Sequence, residues 1–166
     1  KVIQLHTGGM CHLDADMTRQ GIRAFERDDL DFVVLENIGN LVCPAEFDTG
    51  ANLNLTILSV PEGDDKPAKY PLMYEVSDVL VINKIDALPV FDFRKDYVEA
   101  CAKRLNPQIK RMQGSSLFRS TGITRGFANA LAAVINARVA FVCMESTGIP
   151  LFWLTTILSS AGITPI

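Results

Sequence analysis

Residues 79–86 read VLVINKID, an apolar run that leads directly into Asn83, Lys84 and Asp86. A continuous apolar run bounded by polar residues is typical of a strand covered on both faces, as in a parallel sheet. In such a sheet, ligands bind beyond the carboxyl ends of the strands. The stretch therefore predicts a buried strand with a polar site at its end.

Strand-like and helix-like segments alternate along the rest of the chain. This alternation predicts an α/β fold with a mostly parallel sheet and flanking helices. Asp92 is the expected N-cap of one helix, because its carboxylate can accept hydrogen bonds from the first turn. Further strands are expected at residues 1–5, 31–35, 55–60, 109–112 and 139–144, and helices at 14–25, 70–76, 92–105 and 124–137.

The composition divides the chain into two unlike parts. Of the 166 residues, 48% are hydrophobic, which excludes an intrinsically disordered chain. We expect one domain over residues 1–127 and an unrelated helix–strand–helix tail over residues 128–166. From residue 112 onward the charged residues are only Arg119, Arg125, Arg138 and Glu145.

The net charge indicates which partners to expect, and the cysteine content indicates the cellular compartment. A net charge of −3 offers no basic face for phosphates, so we expect no nucleic-acid partner. Four cysteines and no apolar leader predict the cytoplasm, where thiols stay reduced. Residues 146–166 are uncharged but contain Pro, Gly, Ser and Thr, so we expect a buried helix and no membrane span.

The motif at residues 83–86 has the chemistry of a guanine site. Guanine presents an N1–H and an N2 amine side by side, and the carboxylate of Asp86 can accept both hydrogen bonds. The stem of Lys84 can lie on the base, and Asn83 can tie neighbouring loops together. The alternative is an ordinary turn in which Asp86 caps a helix.

Two more polar segments follow predicted strands, at residues 36–40 and 61–65. With residues 83–86 they would converge on one crevice. Glu36 can reach a water of Mg²⁺, and the N–H of Gly39 can approach a phosphate closely because no Cβ intervenes. The alternative is a strand-end glutamate followed by a turn glycine.

Cys11, His12 and Cys43 form a possible metal-binding set. Thiolates and imidazole are the ligands that Zn²⁺ and Ni²⁺ prefer. Three ligands leave a coordination position open, which suits a metal that is handed on or shared across a symmetric dimer. The alternative is that both cysteines are small buried apolar residues and His12 caps a helix. Cys101 is expected to pack in the core.

These motifs resemble those of the HypB family of hydrogenase nickel incorporation GTPases. The resemblance implies a P-loop GTPase fold of the SIMIBI type, binding of GTP or GDP with Mg²⁺, and a homodimer that works with other hydrogenase maturation proteins. It also implies that Cys11, His12 and Cys43 bind Ni²⁺ or Zn²⁺ at the dimer interface. It covers about the first 111 residues and rests on the strings TGGMCHLDA (7–15), ENIGNLVCPAEFD (36–48), SVPEGDDKP (59–67) and NKID (83–86).

The chain departs from that family in its phosphate-binding loop. The family has a Gly-x-x-x-x-Gly-Lys-Ser/Thr loop after its first strand, and this sequence contains no Gly-Lys pair. Such a loop supplies most of the phosphate binding and the transition-state stabilisation. We therefore expect a truncated domain that lacks its first strand and phosphate loop, with little GTP hydrolysis.

The segment MESTG at residues 144–148, after an apolar strand, is similar to a fragment of the four-carboxylate transposases of insertion elements. In that family the glutamate, here Glu145, is one of four acidic metal ligands. The alternatives to a GTP-dependent nickel chaperone are thus a transposase-derived fragment, or a zinc-binding remnant with an inactive nucleotide site. A transposase would need three more carboxylates around Glu145, and none occurs after residue 111.

Overall fold

Most of the described strands follow apolar runs of the sequence, and the described strand pairs are parallel. The structure is a computed structural model that describes residues 2–26, 30–113 and 139–144. Its strands and flanking helices confirm the predicted α/β class. In chain order the described elements are β1 (Val2–Leu5), α1 (Ala15–Arg23), β2 (Phe32–Glu36), α2 (Cys43–Glu46), β3 (Leu55–Ser59), α3 (Lys66–Lys69), α4 (Pro71–Glu75), β4 (Val79–Asn83), α5 (Lys95–Leu105), β5 (Lys110–Gln113) and β6 (Val139–Met144).

The first of two compact units contains the described residues up to 51 together with β6. Its sheet has the order β1-β6-β2, so β6 lies between the two earlier strands. Phe25 is 1% exposed and packs against side chains of β1 and β2. Because the strands are parallel, the segments that follow β1 and β2 leave the same edge of this sheet.

The second unit contains residues 52–113 among those described. Its sheet has the order β3-β4-β5, and in the central strand no residue from Val79 to Ile82 is more than 7% exposed. Tyr74 of α4 and Val98 of α5 are fully buried in the same core cluster as Ile82. The prediction of a strand covered on both faces is therefore confirmed for β4.

The division of the chain at residue 127 that the composition suggested stays a prediction. Residues 139–144, expected in a separate tail, form a central strand of the first unit, and the earlier part of the chain is shared between both units. The predicted helix at 124–137, Glu145 and the uncharged segment 146–166 lie outside the described residues. No helix within the described ranges is long and apolar enough to cross a membrane.

The predicted N-cap of α5 is wrong. The helix begins at Lys95 and its N-cap is Arg94, which has no side-chain capping bond of its own. The carboxylate of Asp64 instead accepts hydrogen bonds from the backbone N–H of Arg94 at 3.0 Å and from its Nε at 2.8 Å. Asp92 lies outside the helix because a long-range ion pair fixes where the helix starts.

Candidate metal and nucleotide sites

A tight turn after β1 places Cys11 on the surface of the first unit. Gly8 and Gly9 have φ values of 64° and 92°, which glycine adopts without steric cost. The Thr7 hydroxyl donates to the carbonyl of Met10 at 3.0 Å and closes the turn. Cys11 follows the turn and is exposed, so the interpretation of this residue as a small buried apolar side chain is wrong.

Cys43 is the first residue of α2 and is partly buried. The short helix has no side-chain cap from Val42, its N-cap residue. Its first N–H groups are instead capped by Asn40, whose Oδ1 accepts from the N–H groups of Val42 and Cys43, each at 3.0 Å. The Nδ2 of Asn40 donates to the carbonyl of Cys11 at 3.0 Å.

The side chains of Cys11 and Cys43 are near enough to interact. A hydrogen bond between the two side chains raises the pKa of the Cys43 thiol above its ordinary value, and partial burial raises it further. The two predicted sulfur ligands are therefore neighbours, although 31 other residues of the sequence separate them.

His12 points to a different neighbour. Its ring stacks on that of Phe47, with 3.5 Å between centroids and 7° between planes. Its Nδ1 is buried and has no hydrogen-bond partner within the described residues. In that part of the chain no group of three His, Cys, Asp or Glu side chains is arranged to hold a metal. The structure thus brings the two thiols near each other, whereas the ring of His12 stacks on Phe47.

The loop after β2 is tied to the cysteine segment. The Oδ1 of Asn37 accepts from the N–H of Leu13 at 3.1 Å and from that of Ile38 at 2.8 Å. Glu36 ends β2 and is exposed. Gly39 is also exposed, and nothing lies within 4 Å of the position a Cβ would take. No described neighbour therefore requires glycine at this position.

The guanine motif follows the buried strand of the second unit. Asn83 ends β4 and its Oδ1 accepts from the N–H of Lys84 at 2.8 Å. Lys84 adopts a left-handed conformation with φ of 56° and ψ of 42°, which is uncommon for a residue with a side chain and clusters at functional sites. Asp86 lies partly buried in the 3₁₀ turn Ile85–Ala87.

Two neighbouring aspartates in the loop after β3, Asp64 and Asp65, form ion pairs. The Arg94 side chain, which donates to Asp64, lowers the pKa of that carboxyl. Asp65 contacts Lys69 and Lys66, whose hydrogen bonds lower its pKa to about 2. This loop and the guanine motif follow neighbouring strands of one sheet. The segment after β2 belongs to the first unit, and convergence of all three in one crevice stays a prediction.

Sequence reasoning missed the residues that organise these loops. Asn37 and Asn40 were not expected to hold the cysteine segment, and Asp64 was not expected to hold the start of α5. Asparagine beside a turn is a weak signal for a capping amide. The partner that it contacts across the fold leaves no trace in the local sequence.

Residues 1–113 match the family model described as the CobW/HypB/UreG nucleotide-binding domain. The chain is 44% identical over 108 residues to the hydrogenase maturation factor HypB of Escherichia coli strain K12, covering 65% of this chain and 37% of the relative. It is 46% identical over 114 residues to HypB of Azotobacter chroococcum, covering 69% and 37%. The chain thus spans little more than a third of these relatives.

Two solved structures have the same fold. The crystal structure of HypB from Helicobacter pylori in complex with nickel is 35% identical with a TM-score of 0.67, over 87% of this chain and 66% of that one. HypB from Archaeoglobus fulgidus is 34% identical with a TM-score of 0.66, over 78% and 62%. Because the family model covers more than half of the sequence, the chain belongs to the CobW/HypB/UreG family of nucleotide-binding domains.

Proposed function

We propose that this chain binds nickel and a guanine nucleotide as part of a nickel-delivery factor of hydrogenase maturation. The observation that carries the proposal is the hydrogen bonding of the Asn40 side chain to the backbone of both Cys11 and Cys43, which holds the two side chains near each other. Two of the relatives are named hydrogenase maturation factors, and one related protein was solved in complex with nickel.

The paired thiols suit a borderline-soft divalent metal, which is the cargo in this proposal. Thiolates bind Ni²⁺ and Zn²⁺, and two from one chain leave coordination positions open. His12 is the proposed third ligand, since its unpartnered Nδ1 lacks a polar contact within the described part of the chain. Its ring would have to leave Phe47 to reach the thiols. A homodimer that shares the metal is the proposed source of further ligands.

The guanine base is assigned to the motif after β4. Asp86 accepts the two hydrogen bonds of the base edge, Lys84 covers its face, and Asn83 holds the loop through its bond to the N–H of Lys84. A carboxylate such as the exposed Glu36 fits the oxygen chemistry of Mg²⁺, and the N–H of Gly39 fits a phosphate. The Mg²⁺ would supply charge neutralisation at the phosphates.

Hydrolysis of GTP by these residues alone is expected to be slow. A Gly-Lys pair, which cradles phosphates in this class of domain, does not occur in the sequence. A zinc-binding protein with an inactive nucleotide site is the second candidate, and the same arrangement favours it. The proposed compartment is the cytoplasm, since Cys11, Cys43 and Cys101 are free thiols.

Anaerobic titration with Ni²⁺ and Zn²⁺ tests the metal proposal. We expect Cys11→Ser and Cys43→Ser each to abolish tight binding. Cys101→Ala is the matched control, since that thiol is buried in α5 and should leave binding unchanged. GDP binding measured in the same samples separates the two candidates: metal binding with no nucleotide affinity favours the zinc-binding remnant. Metal affinity that persists in both serine variants would contradict the site.

A further inference from the structure

The Cys11 and Cys43 segments are joined by side chains rather than by backbone pairing. Within the described residues, no hydrogen bond between backbone groups links residues 7–13 to residues 40–43. The link consists of hydrogen bonds made by the side chains of Asn37 and Asn40. The mutual position of the two sulfur atoms therefore depends on these amides.

Asn40 contacts the backbone of both cysteines at once. Its amide nitrogen donates to the Cys11 carbonyl, and its amide oxygen accepts from the N–H groups of Val42 and Cys43, with all three distances at 3.0 Å. The amide of asparagine combines N–H donors with an oxygen that can accept two hydrogen bonds. Aspartate would keep the acceptor and lose the donor, and alanine would lose both.

We propose that Asn40 is the positioning residue of the thiol pair, and that it sets the metal affinity of the site without binding the metal. The inference rests on the metal site of the proposed function. Cys43 begins a helix of four residues, which is too short to hold itself in place. The Cys11 segment follows a turn of two glycines. Asn40 links these two weakly held segments and so brings the thiols together before the metal binds. Less conformational entropy is then lost on metal binding.

Asn40→Ala and Asn40→Asp test this role in the full chain. We expect Asn40→Ala to weaken Ni²⁺ binding by about 10- to 100-fold, the usual effect of losing a residue that supports metal ligands. Asn40→Asp keeps the cap on α2 and so retains stability, but it cannot donate to the Cys11 carbonyl. We expect it to bind Ni²⁺ more weakly than wild type although its unfolding midpoint stays close to wild type.

Asn106 provides the matched control. Its amide nitrogen donates to the carbonyls of Ser77 at 2.9 Å and Glu75 at 3.3 Å, and its oxygen accepts from the N–H of Gln108 at 3.0 Å. It is the same kind of amide bridge, but it lies in the second unit. We expect Asn106→Ala and Asn40→Ala each to lower stability through the loss of an amide bridge, but Asn106→Ala to leave the Ni²⁺ affinity at the wild-type value.

A second measurement needs no metal. Dibromobimane becomes fluorescent when it bridges two neighbouring thiols, so its yield in the metal-free chain, mapped by peptide mass spectrometry, reports the proximity of Cys11 and Cys43. We expect the bridged yield to fall several-fold in both Asn40 variants and to stay unchanged in Asn106→Ala. If Asn40→Ala keeps the bridged yield of the wild type and a Ni²⁺ affinity within threefold of the wild-type value, the proposal is overturned. If wild type binds no Ni²⁺ while bridging still depends on Asn40, the proposed function fails and the positioning role stands.

Discussion

Replacing Asp86 with asparagine exchanges a carboxylate for an amide of nearly the same shape at the end of β4. In the proposed guanine site this removes two charge-assisted hydrogen bonds, from N1–H and from the N2 amine. A hydrogen bond to a charged group contributes about 1.5–3 kcal/mol, and Asp86 is partly buried, so screening by water is incomplete. The two bonds together amount to about 3–6 kcal/mol, or roughly 10²- to 10⁴-fold in GDP affinity.

The same substitution should favour xanthine over guanine. Xanthine carries a carbonyl at C2 where guanine has an amine, and the amide nitrogen of an asparagine can donate to it. The assay is competition between GDP and xanthosine diphosphate for a fluorescent nucleotide in the presence of Mg²⁺. Asp78→Asn is the matched control, because it makes the same change just before the other end of β4, where the carboxylate accepts from Asn54. GDP affinity within threefold of wild type in Asp86→Asn, with no gain for the xanthine nucleotide, would refute the assignment.

Three further predictions concern the second unit. Ile82→Ala should lower the free energy of unfolding in urea by about 2–5 kcal/mol, since Ile82 is fully buried; a loss under about 1 kcal/mol would contradict the core described for β4. Tyr74→Phe should raise the free energy of unfolding by about 1 kcal/mol, because the buried hydroxyl has no hydrogen-bond partner within the described residues. A clear loss of stability would show that the hydroxyl is hydrogen-bonded. Lys69→Met should raise the pKa of Asp65 from about 2 toward 3.8, as measured by carboxyl ¹³C NMR. Because the pKa of Asp65 is lower in the folded state, this carboxylate stabilises the wild type above about pH 4, and the contribution is lost as the pH falls to about 2. If Lys69→Met leaves the pKa of Asp65 unchanged, the ion pair is excluded.

Several strands were predictable because they occupy continuous apolar runs, and β4 is also covered on both faces. The run at residues 79–82 became β4, and the run at 139–144 became β6 with the same bounds. The position of β6 between β1 and β2 was not predictable, since an apolar run does not specify its neighbours. The helix Cys43–Glu46 was missed because four residues are too few to show a helical period.

The site was predictable in its chemistry but not in its geometry. Residue types and spacing singled out Cys11 and Cys43, and the structure brings their thiols together. The stacking of His12 on Phe47 and the hydrogen bond of Asn40 to Cys11 join residues that are 35 and 29 positions apart in the sequence. Such long-range contacts are fixed by the packing of whole elements, and local patterns carry no information on them.

The nature of the atoms that bind the metal is the most direct test of the central claim. Nickel K-edge X-ray absorption on the anaerobic Ni²⁺-loaded chain should show sulfur ligands in wild type and none in the Cys11→Ser, Cys43→Ser double variant. A spectrum with only nitrogen and oxygen ligands in wild type, or one unchanged in the double variant, would contradict the assignment of the thiol pair as the nickel site.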